Sequence, residues 1–125
     1  MAYRNMKEFK EDWLDALRGG EYTKGSFSLC SEYSPGEYSF CALGVAADLL
    51  VLAGHRVEWD DDGWFNSKDG RHGSRTTISQ TAPAFLRDWL QVSTDGEYLT
   101  REGDIIKLND GADDFCTVAD AIEKM

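Results

Sequence analysis

Cys41 is the residue of this chain best placed to act as a nucleophile. It heads an almost wholly apolar run from Phe40 to Gly54 that reads as a helix. Backbone N–H groups and the helix dipole at such a position lower a thiol's pKa and favour the thiolate. A cysteine hydrolase or transferase also needs a histidine within about 3–4 Å of the sulfur. The chain has two. His55 lies 14 positions after Cys41, beyond the other end of the same helix, which at 1.5 Å per residue is about 20 Å away. His72, in the polar, glycine-rich stretch Lys68 to Arg75, is then the one candidate partner. The competing reading of Cys41 is a buried structural thiol.

Asp48 stands in the middle of the same apolar run. An unpaired buried carboxylate is costly, so it must find partners or reach an edge. It is either a polar clamp, held by backbone N–H groups or an arginine such as Arg87, or an acid/base or ligand group in a pocket. A pocket that sequesters a small ligand would lie beside Asp48 and the Lys68 to Arg75 loop. The acidic cluster Asp60-Asp61-Asp62 lacks the alternate-position spacing of a calcium loop and reads as a solvated hairpin tip. Trp59 and Trp64 flank it. Alternation exposes at least one of the two rings, and an aromatic beside carboxylates makes a protein-binding edge. Asn109-Asp110-Gly111 reads as a turn. No spacing supports a metal site, and no motif calls for a cofactor.

These residues need elements to hold them. Asn5 caps a first helix with Glu8 three residues on, and Met6, Phe9, Trp13, Leu14 and Leu17 fall on one face. Ser26 to Cys30 alternates like a half-buried strand, Ser34-Pro35-Gly36-Glu37 is a turn, and Tyr38 to Phe40 leads into the apolar helix. That helix is apolar all round and therefore central and buried. Gly44 inside it costs about 1 kcal/mol relative to alanine, which close backbone packing against a neighbour would justify. Arg56 to Trp59 and Trp64 to Ser67 form a hairpin around the acidic tip. A third helix starts near Thr81, with Phe85, Leu86, Trp89 and Leu90 as its stripe. Tyr98 to Thr100 and Ile105 to Leu108 read as a second short hairpin. Asp114 caps a last helix, with Phe115, Val118, Ala119 and Ile122 inward. The expected fold is a single α+β domain of about four helices, a buried central helix and short antiparallel strands.

Composition narrows the function. The 125 residues carry a net charge of −10, which argues against nucleic-acid backbone binding and against docking on anionic membranes. It leaves open a basic partner. No stretch reaches the roughly 18 apolar residues of a membrane span, and the polar N-terminus lacks a signal peptide's apolar core, so the expected location is the cytoplasm. Three widely spaced cysteines, Cys30, Cys41 and Cys116, read as reduced thiols.

The ordered set Trp13-x-x-Ala16-Leu17-x-x-Gly20-x-Tyr22, Phe40-Cys41-x-Leu43-Gly44-Val45-x-x-Asp48-Leu49, Phe85-Leu86, Trp89-Leu90, Leu108-Asn109-Asp110 and Phe115-x-x-x-Ala119-Asp120-x-Ile122 spans most of the chain. It resembles a family of small uncharacterised proteins met in bacteriophage and prophage genomes. The resemblance implies a phage setting, hence a host-cell cytoplasm, and no activity. Such sequences often carry further cysteines around the Cys-x-Leu-Gly-Val core. Here the flanking positions are Phe40 and Ala47, which weakens a metal or redox reading. The expectation is an acidic accessory protein that binds or inhibits a host macromolecule, with Asp48, Trp59, Asp60, Asp61, Asp62 and Trp64 as binding residues. The alternatives are a cysteine enzyme using Cys41 and His72, or a small-ligand-sequestering module.

Overall fold

The computed structural model describes residues 2–70, 73–78, 81–91 and 100–125. Helix α1 spans Met6–Arg18, and Asn5 caps it by accepting the Glu8 N–H at 3.0 Å. Glu8 closes the box one residue early, accepting from the Arg4 N–H. Phe9, Trp13, Leu14 and Leu17 are buried along one face.

Strands β1 (Thr23–Lys24), β2 (Cys30–Ser34) and β3 (Glu37–Phe40) form a small sheet in the order β1-β3-β2. The β2–β3 pair is an antiparallel hairpin turned at Gly36, whose φ of 78° suits glycine. The β1–β3 pair is parallel, so the expectation of antiparallel strands alone does not hold. The strand expected at Ser26 to Cys30 is also displaced. Phe27 there takes a left-handed φ of 72°, which interrupts extension, and β2 begins only at Cys30.

Helix α2 (Ala42–Leu52) follows β3 directly, with seven of its residues buried. A Cβ built on Gly44 would meet the Leu29 carbonyl oxygen at 1.7 Å. The backbone before β2 therefore crosses the helix where only glycine leaves room. Gly54, with φ 84°, follows the helix. Strands β4 (Val57–Trp59) and β5 (Phe65–Ser67) then pair as an antiparallel hairpin.

The remaining regular elements among the described residues are helices: α3 (Ala84–Leu90), α4 (Thr100–Gly111) and α5 (Phe115–Glu123). Among the described residues five helices are thus present rather than about four. The difference is α4, which occupies the segment read as a second hairpin; Tyr98 and Leu99 of that reading lie outside the described residues. The buried positions of α4 are Glu102, Ile105 and Asn109, spaced three and four apart as a helix requires. Two of the three are polar, so the helical period was invisible to a search for apolar residues. Asn109 and Asp110 accordingly lie at the end of this helix and not in a turn.

Asp114 caps α5 by accepting the Thr117 N–H at 2.8 Å, and Phe115, Val118, Ala119 and Ile122 face inward. One hydrophobic cluster joins α1, α2 and α5 with residues from the strands, α3 and α4, so the architecture is mixed α+β around α2. No helix among the described residues is long and apolar enough to cross a membrane.

Candidate functional site

Cys41 caps α2: its sulfur accepts the Gly44 N–H at 3.3 Å. The residue is only 5 % exposed. Burial pushes the thiol up to about 11, against the opposing pull of the Gly44 and Leu43 N–H groups. A thiol so held is a structural cap and a poor nucleophile at neutral pH. His72, its expected partner, lies outside the described residues.

Asp48 reaches the edge of the core and is held by two side-chain donors. The Tyr22 hydroxyl donates to Oδ2 at 2.7 Å and the Trp59 indole N–H to Oδ1 at 3.1 Å. The Phe40 ring stands edge-on to both Tyr22 and Trp59. Asp48 therefore ties α2 to the chain before β1 and to β4. Arg87 is not among its partners. Burial raises the pKa of the Tyr22 hydroxyl, as does its bond to the carboxylate; the half-buried Cys30 thiol rises through burial and then the Asp48 charge.

At the β4–β5 tip the three aspartates divide. Asp60 accepts from the Asp62 N–H at 2.9 Å, the Trp64 N–H at 2.9 Å and the Asn66 amide at 3.0 Å. The first of these contacts in strength, that of Trp64, holds its carboxyl below the usual carboxylate range. Arg75 donates to the Asp62 carbonyl and lies over the Trp64 ring at 5.6 Å. Asp61 and Asp62 remain exposed. Of the two tryptophans, Trp59 turns inward to Asp48 and Trp64 is 41 % exposed. Exposed Tyr33 and Tyr38 lie on the neighbouring β2–β3 hairpin, whose Cys30 carbonyl packs near Gly63.

A cleft of about 330 Å³ opens elsewhere, between the β4–β5 hairpin and the start of α3. Its walls include His55, Arg56, Ser67, Asp69, Thr81 and Arg87. Asp69 brings the start of the Lys68 to Arg75 loop to this cleft, but Asp48 does not line it. Arg87, named from the sequence only as a partner for Asp48, has a buried Nε without a hydrogen-bond partner among the described residues. Among the described residues no three of His, Cys, Asp and Glu gather as a metal site.

Sequence reasoning also missed Asn109. Fully buried, it accepts the Ala42 N–H at 3.0 Å and donates to the Gly25 carbonyl at 2.9 Å. It is the hub between α4, the start of α2 and the end of β1. The only advance signal was the Leu108-Asn109-Asp110 motif itself.

No curated protein and no solved structure matches the chain. The family model that matches covers residues 5–125, from the α1 cap to Met125, and the chain belongs to that family, DUF8296, a domain of unknown function.

Proposed function

We propose that this is a phage-type accessory protein that works without catalysis, by binding a basic surface of a host macromolecule through the β4–β5 tip. The observation that carries the reading is the division of labour at the tip. Asp60 spends its carboxylate on holding the turn, while Asp61 and Asp62 stay exposed and the Trp64 ring, with Arg75 over it, is part-exposed on a fixed frame. An aromatic anchor beside exposed carboxylates fits a cationic groove: the ring supplies contact area and the charges supply steering. The net charge of −10 adds a long-range attraction of the same sign. The buried cap role of Cys41 and its raised thiol favour this reading over a cysteine enzyme.

The test is a comparison of the intact protein with an Asp61→Asn, Asp62→Asn, Trp64→Ala variant as baits in host lysate. The expected result is a partner retained by the intact protein, released by salt and lost with the variant. Equal retention by both baits, or no salt-sensitive partner, overturns it. Asp60 stays unchanged so that the turn keeps its hydrogen bonds.

A further inference from the structure

The cleft beside α3 concentrates hydrogen-bond donors in a chain that is otherwise acidic. Arg87 sits on one wall, with Nε buried and no hydrogen bond or ion pair among the described residues. Arg87 is half-buried, and its guanidinium is left without a partner among the described residues, which suits an anion taken by its planar fork. His55 stands on another wall. Its Nε2 accepts the Tyr3 N–H at 3.1 Å, which leaves the proton on Nδ1 as a donor. The ring is fixed by stacking on Tyr3 and by edge contact with Phe85. Ser67 and Thr81 complete the walls. Arg56 is already paired, donating to Asp69 at 2.7 and 2.9 Å, so that pair forms a neutral, exposed rim. The cleft itself therefore carries one uncompensated cation among the described residues. Its volume of about 330 Å³ suits a small molecule and no more.

We propose that this cleft is a binding site for a small oxyanion, the phosphate or carboxylate head of a small molecule, with Arg87 as the recognising group. The site is separate from the Asp61–Asp62–Trp64 tip and stands or falls independently of it. Thr81, Ala82 and Pro83 bring the lead-in to α3 against it, so an occupant would also fasten that segment to the β4–β5 hairpin.

The experiment is titration of the full chain with inorganic phosphate and, separately, with acetate. It is followed by NMR of the His55 and Arg87 side chains, with sodium chloride at matched ionic strength as the control. The expected result is saturable binding of at least one probe, with a Kd on the order of millimolar as befits so small a ligand. Phosphate and acetate arms identify which head group is preferred. Arg87→Met is expected to weaken binding at least tenfold while the ligand-free variant stays as stable as the original, since a half-buried cation without a partner among the described residues is removed. If that variant does not fold, Arg87→Lys keeps the charge, loses the fork and is expected to bind several-fold more weakly. Absence of saturable binding to either probe, equal shifts with sodium chloride, or unchanged affinity in the folded Arg87 variant overturns the proposal.

Discussion

At the Cys41 sulfur two effects on a thiol oppose each other. The N–H groups of the first turn of α2 pull its pKa down, and burial pushes it up. Burial wins, because the sulfur faces the core, and the negative charge of Asp110 adds to the rise. With a pKa of about 11, only about one molecule in ten thousand carries the thiolate at pH 7. Iodoacetamide near neutral pH is therefore expected to label exposed Cys116 first and half-buried Cys30 more slowly, and to leave Cys41 unmodified in the native protein. Peptide mass spectrometry reads the order. Labelling of Cys41 as fast as Cys116 would contradict the burial argument. The residue type at position 41 was legible in the sequence as a possible nucleophile. The balance between dipole and burial was not, since it depends on what packs over the helix start.

Within α2, the informative position is Gly44. An alanine there should gain up to about 1 kcal/mol in helix propensity. The added Cβ would lie 1.7 Å from the Leu29 carbonyl oxygen, a backbone atom that also accepts the Cys41 N–H. The clash must displace the chain before β2, so Gly44→Ala is expected to cost more than about 3 kcal/mol net. Gly103→Ala in α4 is the matched control. Nothing lies within 4 Å of its added Cβ, and it is expected to stabilise by about 0.5–1 kcal/mol. Urea midpoints of the two variants distinguish steric packing from propensity; similar midpoints would refute the packing account. The glycine's close approach was inferable from its position inside an apolar helix. The identity of its neighbour was not, because Leu29 lies in a segment that reads as a strand and is instead broken at Phe27.

Across the whole molecule, elements distant in sequence are joined by a few buried polar residues. Asn109 bonds groups 67 and 84 positions away, and Trp13 bonds the Ala42 carbonyl across 29 positions. Asn109→Ala leaves the Ala42 N–H and the Gly25 carbonyl without their partner and opens space at the junction. A loss of about 2–4 kcal/mol is expected from two such unmet groups, measured by denaturant unfolding at constant slope. A loss below about 0.5 kcal/mol, the range of surface changes, would show that water replaces the amide. The cost should appear as global destabilisation, because α2 and α4, which meet at Asn109, share one core.

Sequence alone determined the parts whose signal is local. Caps at Asn5 and Asp114, the all-round apolar character of α2, the β4–β5 hairpin and its acidic tip all follow from spacing within a few residues. The mixed α+β class followed from these. Tertiary structure decided the rest. Helix α4 is set by Glu102 and Asn109, buried polar positions bonded to the Ile78, Ala42 and Gly25 backbone. Asp48 acquired Tyr22 and Trp59 as partners, and Arg87 was directed into a cleft with His55. A hydrophobic pattern registers what leaves water, but a buried polar group is defined by its partner, and that partner is chosen only when distant segments meet.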